Sequence, residues 1–162
     1  KVIKLLRGER CLIDEEDYEL ISKYKWHSMS NCKHNKYAVA YYGNYKIIRM
    51  HRLILGLAFK DGKVVDHINH NSLDNRKSNL RICTNHQNLS NMKLFIEGKN
   101  NHRGVRWNPK YKRWVNYIGV KGKKIYAGCA LTKKEAIEKY KVKSIELLGE
   151  FSPYYHLEIS SG

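Results

Sequence analysis

V-V-D-H-I-N-H-N-S-L-D-N-R-K-S-N-L-R-I-C-T-N-H-Q-N, running from Val64 to Asn88, reads as strand, loop, strand and helix. Val64-Val65 is a short apolar run that ends on the pair Asp66-His67. The residues that follow, among them Asn69, Asn71, Ser72, Asp74 and Asn75, are turn formers and leave no room for a helix. Leu80-Arg81-Ile82-Cys83 is a second short strand, after which Thr84 and Gln87 have the spacing of a capping box at the start of a polar helix. The polar side chains of this segment are expected to converge on one cleft.

Outward from that segment, the charge is the next fact with a consequence. The 162 residues carry a formal charge of +16, which draws polyanions, and nucleic acid is the commonest of these. The surplus is spread along the chain. Residues 1–97 hold 17 Lys and Arg against 10 Asp and Glu, and residues 98–162 hold 14 against 5. Both halves therefore have the charge to meet phosphates. Cys11, Cys32, Cys83 and Cys129 lie far apart with no C-x-x-C pair, which argues against a thiolate zinc ribbon and a disulfide framework and for free thiols in a reducing compartment. No apolar run approaches the roughly 18 residues of a membrane span, and no signal-peptide pattern opens the chain. The chain does not open on Met and ends Ser160-Ser161-Gly162, so we expect natural ends outside it.

Residues 1–13 read as a β-hairpin around Gly8, and Asp14 is placed to cap a short acidic helix over Glu15–Lys23 that serves as scaffold. Strands follow at Trp26, at Tyr37–Tyr42 and at Ile47–Met50. His51–Leu57 reads as a short helix whose Leu53, Ile54 and Leu57 back the Asp66-His67 strand, with His51 or Arg52 able to reach the cleft and Arg52 a phosphate. Beyond residue 101 the pattern changes. Arg103–Trp107, Arg113–Val120 and Lys124–Cys129 alternate as three half-buried strands with turns between them. Thr132-Lys133-Lys134-Glu135 is a capping box opening a helix to about Leu148, where Gly149 stops it.

The D-H pair with Asn79 at +12 and Asn88 at +21 from His67, inside strand–loop–strand–helix, resembles the His-Asn-His (HNH) nucleases, whose catalytic unit is the ββα-metal fold. The run His51-Arg52-Leu53 ahead of it is similar to intron- and phage-associated members. The resemblance implies that His67 is the general base that takes a proton from water, a role suited to a side chain whose pKa lies near neutrality. It implies Asn79 as the middle Asn of the motif, holding the imidazole or the loop, and Asp66 and Asn88 as metal ligands. One carboxylate and one amide favour a hard ion, Mg²⁺ with Mn²⁺ able to substitute. His70 and His86 stand near enough to suggest a zinc site with His67, but without a cysteine pair or an H-x₃-H spacing no structural zinc is expected. His70 falls where relatives often carry Gly.

Three strands and a helix, opening R-G-V-R-W at Arg103–Trp107 and closing on a T-x-x-E-A-I helix, resemble the Apetala-2/ethylene-response-factor DNA-binding domain over roughly residues 100–150. In that family the sheet enters the major groove. Gly128-Cys129-Ala130, where the family usually has a bulky residue, and Lys141, where it often has Asp, depart from the pattern. Candidate DNA contacts are Arg103, Arg106, Trp107, Arg113, Tyr117, Lys121 and Lys124, of which at most half can share one face, together with Arg52 and Arg76 nearer the catalytic segment. Trp114 is expected in the core.

The expectation is an α+β protein: an HNH domain over 1–93 with its ββα core at about 63–92, a linker over 94–101, an Apetala-2-like domain over 102–152, and a tail over 153–162. Its expected activity is metal-dependent, site-specific, homing-type cleavage of double-stranded DNA, leaving 5′-phosphate and 3′-hydroxyl ends. A monomer would nick one strand, a dimer being the other option. No membrane partner is expected, and the setting would be the cytoplasm of a bacterial or phage-infected cell. The rival readings are a non-catalytic DNA-binding regulator on a nuclease-derived scaffold and an RNA-processing nuclease.

Overall fold

The structure is a computed structural model that describes residues 1–32, 35–43, 46–58, 60–91 and 102–155. It is β-rich, an α+β fold with four small sheets and few helices among the described residues. The chain divides into two compact units, Lys1–Thr84 and Asn85–Gly162. That division falls ahead of the helix that closes the Val64–Asn88 segment. The linker expected over 94–101, and the tail beyond Tyr155, lie outside the described residues.

In the first unit, β1 (Val2–Lys4) and β2 (Arg10–Leu12) form the antiparallel hairpin read from the sequence. The expected acidic helix is shorter than Glu15–Lys23: a 3-10 turn over Glu15–Asp17 runs into the single-turn α1 (Tyr18–Ile21). Asp14 does not cap it with its side chain. Its carboxylate accepts instead from the Lys77 backbone N–H at 2.7 Å, while Lys77 pairs with Glu16 and Asp17. The acidic segment therefore grips residues far along the chain.

Then β3 (His27–Cys32), β4 (Asn35–Tyr42) and β5 (Lys46–Arg49) build an antiparallel sheet, and α2 (Met50–Ile54) follows directly. The ribbon of β6 (Val64–His67) and β7 (Leu80–Cys83) completes the unit. Leu5, Cys11, Ile13, Ile21, Trp26, Met50 and Leu80 share its buried core, so one apolar cluster joins hairpin, sheet, helix and ribbon. Trp26 satisfies its indole N–H on the Ile21 carbonyl at 2.7 Å.

The second unit begins with α3 (Asn85–Ser90) and continues as β8 (Val105–Asn108), β9 (Arg113–Val120) and β10 (Lys123–Ala130), ordered β10-β9-β8 and antiparallel. The helix α4 (Lys133–Leu148) packs on this sheet. Thr132 caps it as expected, its hydroxyl oxygen accepting from the Glu135 N–H at 3.3 Å. Val105, Ile118, Ala127, Ala130, Ala136 and Tyr140 form the buried seam. Gly104 is obligatory here: its φ is +78°, and a Cβ would stand 2.5 Å from the Tyr117 carbonyl oxygen and from the Tyr140 ring.

Candidate active site

The strand β6 delivers Asp66 and His67 side by side, and both are buried. Successive side chains leave a strand on alternate sides, so the two acquire different surroundings. Asp66 stands opposite Arg81 in the antiparallel register. The guanidinium donates to its Oδ2 from Nε at 2.9 Å and from Nη2 at 2.7 Å. Both side chains are at least 90 % buried, so the pair is desolvated and its geometry is fixed.

His67 meets the loop and two other rings. Its Nε2 lies 3.5 Å from Asn75 Oδ1. The Asn75 amide nitrogen in turn donates to the Cys11 sulfur at 2.9 Å, which orients the amide so that its oxygen faces the imidazole. His51 packs edge-on against His67, ring centroids 5.2 Å apart, and Tyr37 lies at 5.7 Å from His51 and 6.1 Å from His67. Burial pushes the His67 pKa below its ordinary value, against the opposing effects of Asn75, Asp66 and Asp74. Burial drives His51 further, down to about 3, with the neighbouring His67 and arginines adding to the effect. At neutral pH both rings are uncharged. Cys11 is held as a thiol because burial raises its pKa to about 11.

Asn79 sits at the end of the loop, in a short 3-10 turn over Lys77–Asn79 that the sequence did not suggest. Its Oδ1 accepts from the Asn69 N–H at 2.9 Å, and its Nδ2 donates to the Asp74 carbonyl at 2.7 Å. Of the two duties open to it, this is the loop: these bonds go to loop backbone, and the amide facing the imidazole belongs to Asn75. Asp74, 1 % exposed, accepts from Asn69 Nδ2 and from both ends of the Arg76 guanidinium. His70 takes a φ of +61°, a left-handed conformation that explains a preference for Gly at its place.

Other expected contacts are dispersed. Arg52 folds back on its own loop, donating to the carbonyls of Ala58 and Lys63 and pairing with Asp61 at 2.5 Å. That engagement is structural and was not foreseen. Asn88 lies on α3, half-buried, in the second unit, and His86 beside it is exposed. In the sheet of that unit, register and alternation put Arg106, Arg113, Tyr117 and Lys124 on the face turned away from α4. Trp107 does not join them: it pairs with Trp114 on the helix side, ring centroids 5.6 Å apart, and Trp114 packs on the core. Arg103 precedes β8 and donates to the Leu89 carbonyl, and Lys121 occupies the β9–β10 turn.

Sequence reasoning missed Asn75, Cys11, Arg81 and Tyr37 and gave His51 little weight. The triplet Asp74-Asn75-Arg76 carried the available signal, since so many hydrogen-bonding groups in one loop need partners. Among the described residues no three His, Cys, Asp or Glu side chains gather as a metal-holding group. Asp66 supplies a buried carboxylate beside a loop rich in amides, and hard oxygen donors of this kind fit a divalent ion that keeps open places for water and phosphate.

Residues 49–90 match the HNH endonuclease family. Over 155 residues the chain is 32 % identical to an uncharacterised HNH endonuclease of Acanthamoeba polyphaga mimivirus, the match covering 90 % of this chain and 74 % of that protein. No solved structure matches the chain. No helix among the described residues is long and apolar enough to cross a membrane. The identity over most of both proteins, added to a buried Asp-His pair at the end of a ββ ribbon, shows that the chain belongs to the HNH endonuclease family.

Proposed function

We propose that the chain is a metal-dependent, site-specific DNA endonuclease of the homing type, in which His67 activates water and the sheet of the second unit holds the target. The observation that carries this reading is the buried, uncharged His67 imidazole, oriented by Asn75 next to a fixed Asp66. Because Asn75 turns its oxygen to Nε2, that nitrogen carries the proton. Nδ1 is then the lone pair that takes the proton of the attacking water. Asp66 would hold a divalent cation, Mg²⁺ or Mn²⁺, which supplies charge to the phosphate as negative charge develops on it. Arg81 keeps the Asp66 carboxylate aimed, and Asn79 keeps the loop closed behind His67. A ligand role for Asn88 is supported by its motif position. Attack at phosphorus with departure of the 3′ oxygen leaves 5′-phosphate and 3′-hydroxyl ends.

The Apetala-2-like reading of the second unit is supported by its three-stranded sheet on one helix and by the four aligned side chains Arg106, Arg113, Tyr117 and Lys124. Arginine reads guanine bidentately in the major groove and lysine meets phosphate. One catalytic His per chain implies nicking by a monomer.

The test is cleavage of supercoiled plasmid with Mg²⁺, with Mn²⁺ or with EDTA, by the wild type and by His67→Ala. We expect open circles that appear only with metal, and a loss of about 100-fold or more in His67→Ala. Direct linear product would point to paired active sites. A protein that binds duplex DNA but leaves both the plasmid and a library of target sequences uncut would sink the nuclease reading in favour of a regulator.

A further inference from the structure

The second unit holds a cavity of about 330 Å³ whose lining includes Arg103, Arg106, Lys124, Tyr117 and Gly119 from the sheet and its approach, with Tyr140 and Leu148 of α4. That volume is within the range of small-molecule sites. We propose that this cavity receives a single unstacked nucleotide of the bound DNA, its base against Tyr117 and its phosphate among the three cations. The inference rests on the reading that this sheet holds DNA and deepens it.

Three features favour a nucleotide. The lining joins the Tyr117 ring to three positive charges, and a nucleotide is a flat ring carrying an anion. Among the described residues no carboxylate pairs with the three cations: Arg103 donates to the Leu89 carbonyl, which anchors the guanidinium without cancelling its charge. The third feature is Gly119. It stands opposite Lys124 in the β9–β10 register, and among the described residues nothing lies within 4 Å of where its Cβ would be. Its φ is not in the left-handed region, so the backbone does not require glycine. A glycine inside a strand with open space above it marks close approach by another molecule. The energetic demand is the unstacking of one base, which is least where the base is unpaired.

The same geometry supplies the test, because a Cβ at Gly119 meets no atom of the described residues within 4 Å and a longer side chain there takes up space at the cavity. Full-length wild type, Gly119→Leu and Gly119→Ser are titrated with a duplex carrying one unpaired 2-aminopurine, with the fully paired duplex, and with free 2-aminopurine deoxynucleoside monophosphate. Aminopurine fluorescence gives the affinity, and circular dichroism confirms the fold. We expect the wild type to favour the unpaired duplex at least tenfold, Gly119→Leu to lose that preference, Gly119→Ser to keep it, and the free nucleotide to bind weakly. Tight binding of the free nucleotide that Gly119→Leu abolishes would reassign the cavity to a soluble nucleotide and overturn its use for DNA. If both duplexes bind equally, or the preference survives in Gly119→Leu, the cavity proposal fails while the sheet reading stands. Should neither duplex bind, both fail. Were Gly119→Leu to unfold, Lys124→Gln provides the second variant: an unchanged preference there overturns the proposal, and a loss confined to the unpaired duplex supports it.

Discussion

The loop between β6 and β7 and the seam between α4 and its sheet each hold buried side chains, yet by opposite means. In the loop, Asp74, Asn75 and Asn79 are the buried side chains, at 1 %, 0 % and 6 % exposure, and each spends its polar atoms on the backbone or on a specific partner. In the seam, Ile118, Ala127, Ala136 and Tyr140 fill space by shape. Apolar contact is roughly additive in area and tolerant of small shifts. A polar clasp fixes angles and fails abruptly when one member is lost. The protein uses the tolerant means where a framework is enough and the exacting one where an imidazole must keep its orientation.

Four variants break or sharpen this contrast, in order of expected effect. Arg81→Ala strands a buried Asp66 carboxylate and should cost about 3–5 kcal/mol of stability, read by chemical denaturation, with cleavage lost. Ile118→Ala removes a buried side chain from the seam and should cost about 2–5 kcal/mol, lowering DNA affinity more than the rate of the chemical step at saturation. If instead the rate at saturation falls as far as in the loop variants, the division of labour drawn here is wrong. Asn75→Leu keeps the volume but removes the imidazole's acceptor; single-turnover cleavage should fall about 10–100-fold while the circular dichroism spectrum is unchanged. Thr132→Ala, at the cap of α4, should cost about 1 kcal/mol and leave cleavage as it was.

Acid provides a further separation. The unfolded chain protonates His51 below about 6.5, whereas the folded chain holds it neutral down to about 3. Between those values the unfolded state binds the extra proton, so stability falls as pH drops through that window. His67, shifted in the same direction, adds to the loss. Denaturation midpoints measured across the window should decline on acidification, and His51→Phe should flatten the decline. The His67 shift also sets the rate profile: cleavage should rise with pH through a value below 6.5 and then level off.

Local order was legible where it depends on neighbours in the chain. The alternation of Arg113–Val120 marked β9 at its observed limits, and Thr132 with Glu135 marked the start of α4. Asp66-His67 could be read because the strand and the chemistry coincide in one short run. What escaped depends on distant partners. Cys11 looks like any small core residue until Asn75, 64 positions later, donates to its sulfur. Asp14 has the look of a helix cap, but its carboxylate accepts from the backbone N–H of Lys77. Arg52 showed a cation before an apolar helix, and no pattern told whether it would face phosphate or the carbonyls of its own loop.

The loop between β6 and β7 is tied, in its middle, to the amino-terminal hairpin by a bridge of backbone hydrogen bonds. Leu12 donates to the Leu73 carbonyl, Asn75 donates back to the Leu12 carbonyl, and a parallel bridge joins Leu12 to Asp74. The segment that carries the family signature, residues 49–90, therefore does not contain all the parts that shape it. Transplanted alone into another protein it would carry Asp66 and His67 and leave behind Cys11 and Leu12, on which the loop is templated. Exchange of this nuclease between chains, by recombination or by design, has to move the first turn of sequence together with the motif.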